Sequence, residues 1–395
     1  MSYFFVLGTN TELSLAELNA VLRLEQPRLL APDFLVSDIS GELDIPNLIK
    51  RLGGTVKIGR LVAELPIAKL TSLDQEIIKL AQTKQKSLES TGKFQFGFSD
   101  YGRAVFNKTN LGLKLKKYFS SQSISSRFVV SRERNLSSVV VAQNKLLNKG
   151  IEIVLAADQD TIYVGETIAV QAFKDLSLRD YGRPARNDQS GMLPPKLAQI
   201  MINLAQINDQ DALIIDPFCG SGTILSEAML LGYRNLFASD ISLKAVEDTR
   251  RNFNWTKEIY KVTESKLKLF TKNVLALSKF IKAESVAAII TEPYLGPQRN
   301  LQNIPTVIRD LEGLYSQAIG EFKKVLLPQG RVVMVWPLFY GQRPISPDFT
   351  GFKLLDMLPG EFIGSKLLKK NNRETIIYGR PGQRVYREIA VLEKL

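Results

Sequence analysis

Beyond residue 210 the chain alternates unbroken apolar runs with stretches of helical period. A-L-I-I-D (212–216), N-L-F-A-S-D (235–240), V-A-A-I-I-T (286–291) and R-V-V-M-V-W (331–336) are continuous runs, as expected of parallel strands buried on both faces. L-K-L-F-T-K-N-V (267–274) is a further strand candidate, and residues 306–325 predict a helix. The closing T-I-I-Y-G-R-P-G-Q-R-V-Y-R-E-I-A-V-L reads as two strands around a Pro-Gly turn, an antiparallel hairpin. The pattern predicts an α/β domain that ends in that hairpin.

The first half is patterned differently, as mixed α and β with short elements. F-F-V-L-G (4–8) reads as a strand, and residues 11–22 as a helix in which Leu13, Leu15, Leu18 and Val21 recur near helical spacing after a threonine cap. In K-F-Q-F-G-F, the rings of Phe94, Phe96 and Phe98 alternate as one face of a strand; period two favours a core role over base stacking. Residues 173–191 lack apolar periodicity and are rich in turn formers, which predicts a linker. A helix follows Pro194 and Pro195, with Leu197, Ile200, Met201 and Leu204 forming its apolar stripe.

Composition narrows the chemistry. With 395 residues, 45% of them hydrophobic, the chain is long enough for two or three ordinary domains. No apolar run approaches the roughly 18 residues of a membrane span, and the start lacks signal-peptide features, so a cytoplasmic protein is expected. The single cysteine, Cys219, excludes disulfides within the chain and thiolate metal clusters. Histidine is absent altogether, which leaves proton handling to carboxylates, backbone groups or a cofactor. A net charge of +12 points to a polyanionic partner. The basic residues gather between about 84 and 149, including Lys84, Lys108, Lys114, Lys116, Lys117, Arg127 and Arg134, and these are the candidates for phosphate contacts.

D-P-F-C-G-S-G-T (216–223) directly follows the strand A-L-I-I. Gly220 and Gly222 permit a tight turn and close approach of a ligand to the backbone, and a helix starts next. The loop matches neither the dinucleotide nor the nucleoside-triphosphate spacing, and it has no lysine for a phosphate. Asp216 at the strand end suits a cationic ligand. The next strand ends in Asp240, placed to hold ribose hydroxyls, and Asn273 closes a third strand, within reach of an adenine edge. A pocket for an adenosine with a positive centre and no phosphates describes S-adenosylmethionine (SAM).

D-P-F-C-G-S-G-T and S-D-I-S resemble the SAM-binding motifs of class I methyltransferases, and T-E-P-Y-L-G stands where amino-methylating members carry Asp-Pro-Pro-Tyr or a relative of it. With the opening Y-F-F-V-L-G-T-N-T-E-L-S-L-A-E-L, R-F-V-V-S-R-E-R-N-L-S-S-V-V-V-A-Q-N-K-L-L, R-D-Y-G-R-P-A-R and G-M-L-P-P-K-L-A-Q-I-M, nearly the whole chain resembles the THUMP-domain tRNA guanosine N(2)-methyltransferases. The resemblance implies an α/β protein. Its N-terminal α+β part would be a ferredoxin-like domain (1–60) and a THUMP RNA-binding domain (61–172). A linker (173–190) and a Rossmann-like class I methyltransferase domain (191–395) would follow. It implies SAM as cofactor, tRNA as partner and guanosine at position ten as target; from the chain itself no metal and no membrane are expected, and a monomer is the expected state. The cofactor residues would be Asp216, Pro217, Gly220, Gly222, Thr223, Asp240, Ile241 and Asn273.

Glu292, Pro293 and Tyr294 are the catalytic candidates. The exocyclic amine of guanine is a weak nucleophile, because its lone pair is delocalised into the ring. The Glu292 carboxylate and the Pro293 carbonyl would accept its protons and aim the lone pair at the methyl group, while Tyr294 would stack on the extruded base. Glutamate replaces the usual aspartate, and Tyr294 follows Pro293 directly, so Tyr294 and Leu295 are alternative stacking residues. A cytosine-C5 methyltransferase would need a cysteine in its catalytic loop, where this chain has none. A ribosomal RNA or DNA amino-methyltransferase, and a non-catalytic RNA-binding protein, are the alternatives. Intact Asp216, Gly220, Gly222, Asp240 and Glu292 argue against the last.

Overall fold

The computed structural model describes every residue except 89–91, 104–105, 187–191, 298–302, 363–364, 370 and 381. It divides into two compact units. The first comprises Met1–Thr11, Leu22–Phe173 and Gly360–Leu368; the second comprises Glu12–Val21, Lys174–Pro359 and Lys369–Leu395. No helix among the described residues is long and apolar enough to cross a membrane.

In chain order the first half contains β1 (Ser2–Leu7), α1 (Thr11–Leu22), β2 (Glu25–Ala31), β3 (Phe34–Asp38), α2 (Ile45–Arg51), β4 (Thr55–Pro66), α3 (Leu73–Ser87), β5 (Phe94–Gly102), α4 (Lys108–Ser121), β6 (Ser126–Val129), α5 (Ser138–Gln143), α6 (Leu146–Lys149), β7 (Gly150–Ala157) and β8 (Thr161–Val170). All eight strands form one sheet in the order β2-β3-β1-β4-β8-β7-β5-β6. Residue 60, where a domain boundary is expected from the resemblance, lies inside β4. That strand pairs with β1 between Thr55 and Arg60 and with β8 between Lys57 and Pro66, so the sheet runs without a break. Gly59 is the residue that makes this crossing possible. A Cβ there would lie 2.0 Å from the Phe4 ring and 2.3 Å from the Glu166 carbonyl.

Phe94, Phe96 and Phe98 of β5 are buried against Leu73, Ile77, Leu115 and Phe119, and Phe96 stacks on Phe128 at 5.4 Å, which is the core role that period two predicts. Several of the clustered cations have local partners. Lys84 pairs with Glu166 at 3.2 Å, Lys114 with Asp74 at 2.6 Å and Arg134 with Asp100 at 2.5 Å. Lys116 and Lys117 of α4 and Arg127 of β6 are exposed.

The second half contains α7 (Phe173–Tyr181), α8 (Pro195–Leu204), β9 (Leu213–Asp216), α9 (Thr223–Leu230), β10 (Asn235–Asp240), α10 (Leu243–Ile259), β11 (Lys266–Thr271), β12 (Val286–Thr291), α11 (Ile304–Val325), β13 (Leu326–Phe339), β14 (Phe352–Leu354), β15 (Ile376–Tyr378) and β16 (Val385–Lys394). The sheet order is β11-β10-β9-β12-β13-β16-β14, with β15 also on β16. Strands β9 to β13 are parallel, and β16 runs antiparallel to β13 and β15, which closes the expected hairpin; its Pro381 lies outside the described residues. The chain winds outward from β9 on one side and from β12 on the other. The order therefore reverses between these two strands, where doubly wound sheets bind ligands.

Two differences from the sequence reading stand out. Residues 173–181, expected as linker, form helix α7; its weak periodicity follows from burying little beyond Leu176 and from spending its arginine on an ion pair. Helix α1, encoded between two strands of the first sheet, belongs to the second unit. Leu13 and Ala16 join the core around Leu197, Met201 and Leu225, and Asn203 Nδ2 donates to Glu17 Oε1 at 2.7 Å.

Candidate active site

The turn after β9 depends on its glycines. Gly220 and Gly222 have φ of +51° and +79°, a region that strains any side-chain-bearing residue. A Cβ on Gly222 would lie 2.9 Å from the Thr249 methyl, whereas the space above Gly220 is open. Neighbouring elements hold the turn from behind. Thr249 Oγ1 donates to the Gly220 carbonyl at 2.9 Å, and Asn252 Nδ2 donates to the Ser221 carbonyl at 2.8 Å. Arg183 Nη1 donates to Thr223 Oγ1 at 2.6 Å, and Arg179 grips Glu227 through two bonds of 2.6 and 3.1 Å. Thus R-D-Y-G-R-P-A-R braces the start of α9. Cys219 is buried, and burial pushes its thiol pKa upward, which keeps it neutral and unreactive.

Three carboxylates surround this turn. Asp216 is 2% exposed and accepts from Thr291 Oγ1 at 2.7 Å and Phe218 N–H at 3.2 Å. Burial raises its pKa to about 7; these two hydrogen bonds oppose the rise, and the charges of Asp240 and Glu292 add to it. Among the described residues, both of its hydrogen-bond partners are neutral. Asp240 Oδ2 accepts from Gly220 N–H at 3.0 Å and Oδ1 from Ser242 N–H at 2.9 Å, so this carboxylate shapes the turn as well as facing the cavity.

Glu292 comes directly after β12. Arg387 of β16 donates to it in a fork, Nε to Oε2 at 2.5 Å and Nη2 to Oε1 at 3.1 Å, with both side chains largely buried. Burial opposes the Arg387 charge, while Glu292 raises its pKa and holds it as a cation. Tyr315 of α11 donates to the Tyr294 carbonyl at 2.6 Å and leaves the Pro293 carbonyl to other partners. Tyr294 projects its ring outward, 62% exposed, whereas Leu295 is buried in the core. Of these two residues, only Tyr294 presents a free face.

Asp216, Pro217, Gly220, Thr223, Asp240, Ile241, Asn273, Glu292, Pro293 and Tyr294 all line one cavity of about 980 Å³. Gly222 stands behind the wall, capping α9. Asn273 Oδ1 caps the following turn by accepting from Leu275 N–H at 3.0 Å. Ile241 is 73% exposed and presents an apolar surface at the cavity. Sequence reasoning missed Arg387, Thr291, Arg183 and Asn252. Arg387 lies 95 positions from Glu292, and only strand pairing brings them together.

Residues 183–338 match the family described as RMKL-like, methyltransferase domain. The tRNA (guanine(10)-N2)-dimethyltransferase of Methanocaldococcus jannaschii is 34% identical over 141 residues, which span 34% of this chain and 38% of that protein. Its Methanothermobacter thermautotrophicus counterpart is 33% identical over 147 residues, 37% of this chain and 39% of that protein. A probable tRNA (guanine(10)-N2)-dimethyltransferase of Methanothermococcus thermolithotrophicus is 31% identical over 120 residues, 29% of this chain and 70% of that sequence. The alignments thus span about two fifths of the first two relatives' length. In fold, the chain is similar to TrmN from Thermus thermophilus over 100% of both chains, with a TM-score of 0.53 at 18% identity. The chain belongs, through its methyltransferase domain, to the SAM-dependent tRNA guanine N(2)-methyltransferase family.

Proposed function

We propose that the protein transfers a methyl group from SAM to the exocyclic N(2) amine of a guanosine in tRNA, position ten being the position named for its relatives. The observation that carries this reading is a single one. Glu292 opens into the same cavity as the turn of Asp216, Gly220 and Asp240, at the point where the sheet order reverses.

The residues fit a cationic adenosine. Asp216 is a buried carboxylate with neutral partners and two further anions nearby, so a positive ligand relieves its environment. Open space above Gly220 admits a ligand close to the backbone. Asp240 has lone pairs beyond those used by Gly220 and Ser242 and would take the ribose hydroxyls. Ile241 would cover one face of the adenine, and the amide of Asn273 would meet its edge. SAM bound there supplies an electrophilic methyl on a sulfonium centre. Glu292 and the Pro293 carbonyl would accept the amine protons and turn the nitrogen lone pair towards that methyl. Tyr294 would stack on the guanine after it leaves its helix.

The first unit is assigned to RNA capture, as a ferredoxin-like and THUMP region, with exposed Lys116, Lys117 and Arg127 as phosphate contacts. The reading implies a cytoplasmic protein. Incubating unmodified tRNA with the full chain and SAM, then digesting it to nucleosides for mass spectrometry, tests the reading. N(2)-methylguanosine or its dimethyl form is expected, and a product on adenosine or cytidine alone would overturn it.

A further inference from the structure

Resting on that reading, we propose that Arg387 is a positioning residue. It holds the Glu292 carboxylate as a fixed acceptor, and that makes the pocket select guanine over bases whose ring nitrogen beside the amine lacks a proton. Nothing in the reading above requires Arg387; among the described residues it is not part of the cavity lining, and its fork on Glu292 links it to the cavity.

The fork sets the geometry. Nε and Nη2 of one planar guanidinium bind the two oxygens at 2.5 and 3.1 Å, which fixes the plane of the carboxylate as well as its position. Arg387 is itself held. It sits on β16 opposite Pro337 of β13 and Tyr378 of β15, with its side chain only 13% exposed. A glutamate has one more rotatable bond than an aspartate, and the fork removes that freedom.

The fork also sets the hydrogen-bonding character. A carboxylate held by a guanidinium offers lone pairs and no proton. Beside the reacting amine, guanine carries N1–H, a donor that such a group attracts. Adenine carries N1 and cytosine N3, both bare acceptors that it repels. 2-Aminopurine has the same 2-amine as guanine but a bare N1 and no 6-oxygen, so the share of its rejection that disappears when Arg387 is replaced reports the N1 contact. A site built around such a hydrogen bond rejects the analogue lacking it by large factors.

The test uses the full chain and a tRNA transcript whose methylated guanosine, mapped with the wild-type protein, is replaced by 2-aminopurine. Wild type should favour guanosine by at least roughly 100-fold in kcat/KM. Arg387→Met should lower kcat on guanosine by roughly 100-fold with little change in KM for SAM, and shrink the preference to about tenfold or less. Because Arg387 acts through Glu292, adding Arg387→Met to Glu292→Gln should cost no further activity. If Arg387→Met does not fold, Arg387→Lys carries the test. A single ammonium cannot grip both oxygens, so kcat should still fall about tenfold. Wild-type kcat in the folded variant, an unchanged 2-aminopurine preference, or multiplying effects in the double variant would each overturn the role of Arg387 while N(2)-methylguanosine is still made. A wild-type product on adenine would overturn the proposed function and the selectivity together.

Discussion

Thr291 Oγ1 donates a 2.7 Å hydrogen bond to Asp216 Oδ1, tying together the ends of two adjacent parallel strands at the point where the sheet order reverses. The bond keeps a buried carboxylate at the floor of the cavity. Burial nonetheless raises the pKa of Asp216 from 3.8 to about 7.

That shift has a definite sign. Between about pH 4 and 7 the folded protein holds a proton that the unfolded chain releases, so this group's contribution to stability declines as pH rises through that window and is level above it. A cationic ligand prefers the ionised form. SAM binding should therefore release a proton near pH 6 and tighten as pH rises towards 8. Calorimetry in buffers of different ionisation enthalpy reads both effects, and Asp216→Asn should flatten the dependence.

Asp240 shapes the turn, and in the proposed reading it would also hold the ribose. Asp240→Ala removes the acceptor for Gly220 N–H and Ser242 N–H along with the proposed ribose contact. SAM affinity should fall by at least the roughly 1.5–3 kcal/mol of a charged hydrogen bond. Asp240→Asn keeps an oxygen for one of the two amides and should weaken binding less. Equal, wild-type affinity in both variants would remove Asp240 from the site.

Glu292→Gln keeps size and shape but turns one oxygen into a donor facing both the amine protons and Arg387. Methyl transfer at saturating SAM and tRNA should drop by roughly 100-fold or more, with SAM affinity near wild type. Full activity would mean that the Pro293 carbonyl suffices.

The pair Arg179–Glu227 anchors α7 to α9, with Glu227 only 1% exposed and its pKa raised by burial against the pull of Arg179. Arg179→Met should destabilise the protein by about 3–5 kcal/mol, because a charge is left buried without its fork. Adding Glu227→Met should recover much of the loss. Denaturant midpoints of the single and double variants decide this.

Leu13 is fully buried in the core of the second unit although it is encoded near the start of the chain. Leu13→Ala should cost about 2–5 kcal/mol, and the loss should appear in the unfolding of the SAM-binding unit. For the same reason a fragment beginning near residue 190 should be less stable than the full chain. A fragment as stable as the full chain would show that α1 is dispensable.

Much of the α/β half was legible from local pattern. Runs such as V-A-A-I-I-T are apolar because both sheet faces are covered, and D-P-F-C-G-S-G-T needs its glycines for backbone angles that hold in any context. These constraints act over a few residues, so strand ends, the turn and the carboxylates at 216, 240 and 292 could be placed from the sequence. Long-range pairing could not be. Whether Arg387 meets Glu292 depends on the antiparallel register of β16 against β13, and a shift of one residue would turn that side chain to the other face. R-D-Y-G-R-P-A-R reads as a linker because its polar residues satisfy partners in α9 and α10 rather than an apolar stripe. Helix α1 has an apolar face in sequence, but which core that face enters is decided by packing alone. The chemistry of the site was written locally, whereas the fork that fixes its carboxylate exists only in the folded sheet.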